Sequence, residues 1–131
     1  MKRTNYSSGA PLEDVVGYSR MVKVGDFIFV GGTTAVQPDG SVYGEGDSYA
    51  QAKYILEKMV KLVEQAGASV EDVIAVKFYA TPEYNGMEGG RAYTEIFKSI
   101  KPLNTMVKIH SLNRPTQLIE VEMTAVIGCG K

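Results

Sequence analysis

The closing segment of the chain restricts the possible folds most, because apolar and polar residues alternate in it with a period of two. Every second side chain from Ile119 to Ile127 is apolar, which is the pattern of a β-strand with one dry face. The opposite face carries Glu120, Glu122 and Thr124. A carboxylate is costly to bury without a partner, so the two glutamates require either water or a site.

The rest of the chain supplies the other elements of a mixed sheet and two helices. β-Branched and aromatic runs bounded by glycine or proline predict strands, and apolar residues at spacings of three and four predict helices. The predicted strands cover residues 19–24, 27–33 and 73–81, a segment that begins near residue 104 and the closing segment, and the predicted helices cover residues 48–66 and 87–99. The order β-β-α-β-α-β-β predicts an α+β fold with both helices on one face of the sheet.

Local patterns predict the boundaries of the first helix and of the chain ends. Ser48 and Gln51 have the spacing of a capping box, and Gly67 suits the left-handed position that ends a helix. Residues 1–16 mix serine, glycine, proline and acids without a period, which predicts an irregular N-terminal arm. Residues 128–131 are expected to be a frayed tail. A length of 131 residues predicts a single domain.

Two helices can cover only one face of the predicted sheet. The segments Phe27–Val30 and Val73–Ala80 are apolar at successive positions, so neither of their faces suits water. No third helix is predicted that could cover the second face. Another copy of the same chain is therefore the expected cover, and the sequence predicts an oligomer.

Composition and charge exclude several classes of partner. The 14 basic and 15 acidic residues nearly balance and form no basic run, so a nucleic-acid partner is not expected. The single cysteine, Cys129, permits neither an internal disulfide nor a cysteine-rich metal site, and the only histidine, His110, is interpreted as a surface or interface residue. With no signal-peptide core or membrane-spanning run, a cytoplasmic protein without membrane or metal partners is expected.

Two features of the predicted strands are candidates for a site. The paired glycines Gly31 and Gly32 are typical of a bulge or of close approach by a ligand or another backbone, although a simple strand end also contains them. If Glu120 and Glu122 face open solvent, they only add solubility. If a neighbouring subunit covers them, a carboxylate there loses water and can act as a general acid or base.

Five segments, taken in order, resemble one known family over residues 17–127. They are FVGGTTAVQPDG, EQAGAS, VEDVIAVKFYAT, GGRAYTEIF and LIEVEMTAVI. Together they resemble the YjgF/YER057c/UK114 family, also called the Rid family of reactive-intermediate deaminases. The resemblance implies a chorismate-mutase-like fold and a homotrimer with small-molecule pockets between its subunits. It also implies hydrolysis of imino or enamine acids to keto acids and ammonia, without a metal or organic cofactor.

The resemblance also assigns roles to individual residues. The glutamate that positions or activates water falls on Glu122, and the pocket tyrosine that follows a glycine falls on Tyr18. The backbone segment that lines the pocket falls on Gly31, Gly32 and Thr33. These residues are therefore the expected catalytic and substrate-binding contacts.

One position departs from the pattern of the family's active members. The arginine that grips the substrate carboxylate falls on Asn104, which is followed by Thr105 and Met106 as further expected contacts with the substrate. An asparagine donates hydrogen bonds but has no charge, and a bond to a charged partner contributes roughly 1.5–3 kcal/mol. Arg91 and Arg114 are possible substitutes, although Arg91 also has the spacing of an exposed helix pair with the glutamate four residues on.

The sequence thus predicts a trimeric hydrolase of reactive imines or enamines with Glu122 as its catalytic residue. The missing arginine favours an uncharged imine or another hydrolysable substrate. A non-catalytic trimer that senses a metabolite or binds a partner is the main alternative. The ribonuclease or translation-inhibitor activity associated with the family is a weaker one, because the charge is near neutral and no basic groove is predicted.

Overall fold

The computed structural model describes residues 1–131 and contains one six-stranded mixed sheet with two α-helices. The strands are β1 (Arg3–Tyr6), β2 (Met21–Val24), β3 (Phe27–Thr33), β4 (Val73–Ala80), β5 (Leu103–Lys108) and β6 (Ile119–Val126). The helices are α1 (Ser48–Gln65) and α2 (Gly86–Phe97). The strand order is β1-β2-β3-β6-β4-β5, and only β4 and β5 pair in parallel. The predicted α+β class is confirmed, with one strand more than expected.

The additional strand, β1, lies in the segment for which an irregular arm was predicted. That prediction is wrong for Arg3–Tyr6, because the main chain there pairs antiparallel with β2 and places Tyr6 opposite Met21. β1 is an edge strand with no fully buried residue, so its sequence carries no apolar period that would reveal it. The arm then forms a single π-helical turn, Glu13–Gly17.

A buried carboxylate fastens that turn to the residues before it. Glu13 Oε1 accepts hydrogen bonds from Ser7 Oγ at 2.8 Å and from the Ser8 main-chain N–H at 3.1 Å. The Ser8 hydroxyl also donates to Glu13 Oε2. The bonds from the two serines, that from the Ser8 hydroxyl first, hold the pKa of Glu13 below its ordinary value despite burial. The arm is therefore held by specific bonds rather than by apolar packing.

The C-terminal residues are also bonded to the body of the protein. The Gly130 N–H donates to Asp72 Oδ1 at 2.9 Å, and Cys129 Sγ donates to the Asp72 carbonyl at 3.4 Å. Cys129 is exposed. The expectation of a frayed tail is wrong for these residues, because a buried aspartate elsewhere in the chain supplies acceptors that the tail's own sequence does not reveal.

Helix α1 begins with a different cap from the one predicted. Asp47, one residue earlier, is the N-cap and accepts from the Ala50 N–H at 2.9 Å. Ser48 Oγ instead accepts from the Asn85 N–H at 2.8 Å, which ties the start of α1 to the start of α2. Gly67 has φ +105° after the helix, in agreement with its predicted left-handed conformation. Neither helix is long and apolar enough to cross a membrane.

Removal of this cap gives a direct test of the assignment. Asp47→Ala is expected to lower the free energy of unfolding by about 1 kcal/mol, because the first turn of α1 loses a bonded N–H. Asp47→Ser retains a capping oxygen and should lose clearly less. Urea denaturation of both variants measures the difference, and equal losses in the two would contradict the cap.

The core lies between the helices and one face of the sheet. Its centre consists of fully buried side chains from α1 and the middle strands, namely Ile28, Ile55, Leu56, Met59, Val63, Ile119 and Val121. On β6, buried and half-buried residues alternate without exception, as the sequence predicted. The strand pairing places Glu120, Glu122 and Thr124 on the opposite side of the sheet, which no helix covers.

We call this uncovered side the open face. Its side chains come from β2 to β6, and they are Val22, Val24, Phe27, Phe29, Ala75, Lys77, Tyr79, Leu103, Thr105, Val107, Glu120, Glu122, Thr124 and Val126. Phe27 and Phe29 are 44% and 46% exposed, and Leu103 is 73% exposed. Large apolar side chains are thus left in contact with solvent beside two carboxylates in the isolated chain.

Candidate functional site

The centre of the open face is formed by Glu122 and two residues of the adjacent strand, of which Tyr79 is hydrogen-bonded to it. Tyr79 Oη donates to Glu122 Oε1 at 2.6 Å. Lys77 lies directly opposite Glu122 in the β4–β6 pairing, and its Nζ is 5.2 Å from the centroid of the Tyr79 ring. A carboxylate, a phenol and an ammonium group therefore lie side by side on one surface of the sheet.

The second carboxylate, Glu120, has a different environment. It is half-buried, and its side chain lies against the backbone of Gly32 on β3. Burial, and then the charge of Glu122, raise the pKa of Glu120 above its ordinary value, while the positive charge of Arg20 acts in the opposite direction. The environment of Glu120 therefore favours its protonated form more than water does.

The paired glycines mark an irregularity of β3, which is one of the interpretations that the sequence left open. The pairing of β3 with β6 shifts register between Val30 and Thr33. A Cβ atom on Gly32 would run into the carboxylate of Glu120, so a glycine permits the close approach of the two strands. Within one chain, the space beside Gly32 is thus occupied by the side chain of Glu120.

Arg20, the residue before β2, supports the same irregularity. Its Nη1 donates to the Gly32 carbonyl at 2.7 Å and to Thr33 Oγ1 at 3.4 Å. Thr33 is buried, and its hydroxyl donates to the Gly31 carbonyl at 2.9 Å. The segment from residue 31 to 33 is therefore held rigidly by side chains beside the open face.

An open cavity of about 430 Å³ lies over the middle of this face. Among the predicted contacts, Glu122, Gly31 and Thr105 line it, together with Lys77 and Phe29. Its volume is within the range of small-molecule sites, and its lining combines apolar side chains with charged and hydroxyl-bearing ones. It is open on the side that a second chain would cover.

Five predicted contacts lie beside this cavity or away from it: Tyr18, Gly32, Thr33, Asn104 and Met106. Tyr18 is 45% exposed and adjoins Ser19, which lines the cavity, whereas Tyr18 does not. Asn104 pairs with Val76, whose side chain is buried on the helix side. Met106 has the same parity as Asn104. Because side chains alternate along a strand, Thr105 reaches the open face and its two neighbours do not.

The two proposed substitute arginines are also outside the cavity of this chain. Arg91 lies on α2, with its guanidinium 3.9 Å from the centroid of the Tyr49 ring and 3.9 Å from Glu95. Arg114 donates to the Gly40 carbonyl in a surface loop. The expected exposed pair of Arg91 with Glu95 is therefore present, and neither arginine approaches Glu122 within one chain.

The sequence analysis missed three residues of this region: Arg20, Lys77 and Tyr79. A lysine and a tyrosine at alternate positions of an otherwise apolar strand, with the parity of the open face, were the available indication. Their contacts with Glu122 depend on the register between β4 and β6, which contains a shift between Val73 and Ala75. That register is set by pairing between distant segments and was not predicted.

The geometry permits general acid–base chemistry on a small molecule. One oxygen of Glu122 is held by a phenol, and the other has no partner in the chain and can accept a proton from water. No group of histidine, cysteine, aspartate or glutamate side chains in the chain could hold a metal ion. The side chains of the open face offer proton transfer and hydrogen bonding.

Comparisons with known proteins agree with this architecture. Residues 9–127 match the family model described as Endoribonuclease L-PSP. An uncharacterized protein of Streptomyces coelicolor is 34% identical over 121 residues, covering 92% of this chain and 90% of that protein. A RutC family protein of Pyrococcus abyssi is 32% identical over 124 residues, covering 95% of this chain and 96% of that protein.

A solved structure supports the same relationship. A Mycobacterium tuberculosis member of the YjgF/YER057c/UK114 family superposes with a TM-score of 0.83 at 33% identity, covering 96% of this chain and all of that one. A putative endoribonuclease of Thermotoga maritima gives a TM-score of 0.80 at 26% identity, covering 96% and 98%. The six-stranded sheet with two helices is thus shared across the full length of these proteins.

Proposed function

We infer the function of this chain from its family, because it belongs to the Endoribonuclease L-PSP family, which is also named YjgF/YER057c/UK114. We propose that it is a cofactor-independent hydrolase of reactive imines or enamines that releases ammonia and a carbonyl compound. The observation that carries the proposal is a glutamate, held by a phenol at 2.6 Å, in an open cavity of small-molecule size.

In the proposed reaction, Glu122 moves protons between water and the substrate nitrogen. Its free oxygen accepts a proton from water while the water oxygen bonds to the imine carbon, and the C=N π electrons pass to nitrogen. Glu122 then delivers that proton to the nitrogen, which gives a carbinolamine. A second transfer, from the carbinolamine hydroxyl through the same carboxylate to nitrogen, accompanies cleavage of the C–N bond and releases ammonia.

We further propose that the working form is a homotrimer whose subunits cover one another's open faces. The support is the exposure of Phe27, Phe29 and Leu103 around the polar centre. A neighbouring subunit on this face would exclude water from the cavity, and a drier cavity strengthens the electrostatic effect of Glu122 on a polar substrate. Tyr18, exposed at the rim, would then contact a neighbour or the ligand.

Lys77 is the cation we propose to hold an acidic substrate group in this site. It lines the cavity, and Thr105 lies directly opposite it on β5 with its hydroxyl on the same face. The ammonium group has three donors, and its contact with the face of the Tyr79 ring leaves donors available. Lys77 with Thr105 therefore takes the role that the sequence analysis gave to Asn104 with Thr105.

Removal of this charge should change substrate preference rather than abolish turnover. Lys77→Met is expected to lower kcat/KM about 10- to 100-fold for imines that carry a carboxylate, because one charge-assisted hydrogen bond is lost. The effect on imines without a carboxylate should be below about threefold. Steady-state ammonia release with both substrate types measures the difference.

A matched control for that substitution is Lys53→Met on α1. Lys53 also lies over a tyrosine ring, with its Nζ 5.8 Å from the Tyr49 centroid, but on the helix side of the protein. Lys53→Met should leave kcat/KM unchanged for both substrate types. If Lys77→Met impairs both substrate types equally, Lys77 does not select for the acid group.

The first experiment on the function itself is a coupled deaminase assay. Imines would be generated in the assay from several amino acids by an amino-acid oxidase, and ammonia and carbonyl product would be measured with and without the protein. Acceleration that disappears in Glu122→Gln supports the hydrolase. Absence of acceleration for every imine contradicts it.

A non-catalytic metabolite-binding trimer is the second candidate, and the observation that favours it is Asn104. The resemblance places an arginine there, whereas Asn104 has no charge and lies opposite Val76, on the side of β5 away from the cavity. Ligand binding in the cavity without turnover of any imine would support this candidate. Ribonuclease activity, which the family description names, is disfavoured by the net charge of −1.

A further inference from the structure

We propose that Tyr79 is a positioning residue for Glu122, which it holds by Oε1 so that Oε2 is the oxygen presented to water. This inference rests on the proposed function in taking Glu122 as the catalytic base. It adds a residue to which neither the resemblance nor the comparisons assign a role. It also assigns different roles to the two oxygens of that carboxylate.

The register of β4 against β6 explains how the contact forms. Tyr79 lies directly opposite Glu120, and Lys77 lies directly opposite Glu122. The phenol nevertheless donates to Glu122, the diagonal neighbour, at 2.6 Å. A diagonal pair on one face of a sheet is within reach of an aromatic side chain, so this contact needs no distortion of the strands.

The diagonal bond distinguishes the two glutamates. Glu122 receives a fixed donor, whereas Glu120, which is directly opposite the tyrosine, lies against Gly32 instead. A carboxylate anchored through one oxygen loses rotational freedom about its last side-chain bond. Its second oxygen is then held in one direction relative to the cavity, which is what a general base requires.

Lys77 completes the arrangement from the same strand. Its ammonium lies 5.2 Å from the Tyr79 ring centroid, within the range of a cation–π contact. The groups that face the phenol are therefore Lys77 on β4 and both glutamates on β6, with Arg20, the residue before β2, contributing its charge to Glu120. The ring is held between a cation and an anion.

The phenol remains a donor throughout the neutral pH range. The hydrogen bond to Glu122 and then burial raise the pKa of Tyr79 above its ordinary value, and Lys77 opposes them. A raised pKa keeps the phenol protonated to higher pH than usual. The bond to Glu122 is thus present under any condition in which a neutral-pH hydrolase would work.

Tyr79→Phe tests the proposal because it removes only the hydroxyl. We expect kcat to fall about 10- to 100-fold with less than about a threefold change in KM, since orientation rather than binding is lost. In a Glu122→Gln background, Tyr79→Phe should lower kcat little further, because a residue that acts through Glu122 then has no carboxylate to position.

The chain offers a closely matched control at Tyr49. Tyr49 Oη donates to Glu95 Oε1 at 2.7 Å on the helix side, so Tyr49→Phe removes the same kind of bond away from the cavity. It should leave kcat and KM unchanged. A Tyr79→Phe variant that behaves like Tyr49→Phe, or that changes only KM, would overturn the proposal.

A second measurement is independent of turnover. With ¹³Cζ-labelled tyrosine, NMR titration of the wild type should give a raised pKa for Tyr79, and Glu122→Gln should lower it. The Tyr79→Phe spectrum assigns the signal. If Glu122→Gln leaves the Tyr79 titration unchanged, the positioning bond does not exist in solution. If the bond is found but no imine is hydrolysed, the proposed function fails and the contact stands.

Discussion

Replacement of Glu122 by glutamine is expected to lower kcat/KM for imine hydrolysis about 100- to 10,000-fold, because proton transfer by a positioned carboxylate contributes this much. Glutamine has nearly the same shape, and its amide oxygen can still accept from Tyr79. The substitution therefore removes the base and leaves the packing of the open face in place. Initial rates of ammonia release from a freshly generated imine measure the loss.

The control for this substitution is on the same strand and the same face. Glu120→Gln removes the other carboxylate, which lies against Gly32 and receives no bond from Tyr79. Its effect on kcat/KM should be at least tenfold smaller than that of Glu122→Gln. Thermal unfolding of both variants separates lost chemistry from lost structure. Equal losses in the two folded variants would show that Glu122 has no special role.

The alternation on β6 made half of this site predictable. It placed Glu120 and Glu122 on one side of the sheet, and the two predicted helices could cover only the other side. Both conclusions depend on local periodicity, which the sequence displays directly. A bulge at Gly31 and Gly32 was one of the interpretations that the sequence left open, since paired glycines in a strand are a local feature.

The features that were missed depend on pairing between distant segments. β1 is recognisable only through its bonds to β2, and the cap at Asp47 competes with an equally plausible one at Ser48. The contact of Tyr79 with Glu122 requires the register of β4 against β6. That register joins segments that are far apart in the sequence, so no local pattern reveals it. Lys77 and Tyr79 were therefore given no role in the site.

Asn104 shows how an expected correspondence can still leave the site incompletely described. The resemblance places the family's arginine at this position, yet parity along β5 puts Asn104 on the side of Val76, away from Glu122. Lys77 supplies a cation on the side where the cavity lies. A search for the cation of this site therefore has to include the neighbouring strand β4 as well as the position of Asn104 on β5.

Phe29→Glu is expected to convert the proposed trimer into monomers and to lower activity at least about 100-fold. Phe29 is 46% exposed at the wall of the cavity and lies opposite Thr124 in the β3–β6 pairing. A charge there would be desolvated against the apolar surface of a neighbour, at a cost of several kcal/mol per buried ion. In the separated chain, the same charge stays in water and costs the fold little.

Light scattering coupled to size-exclusion chromatography gives the mass of each variant, and the deaminase assay gives its activity. Lys61→Glu places the same charge on an exposed position of α1, outside the open face, and should leave both mass and activity unchanged. A monomeric wild type would contradict the assembly outright. A monomeric Phe29→Glu variant that keeps full activity would show that the cavity of one chain suffices, because the chemistry would then need no covering subunit.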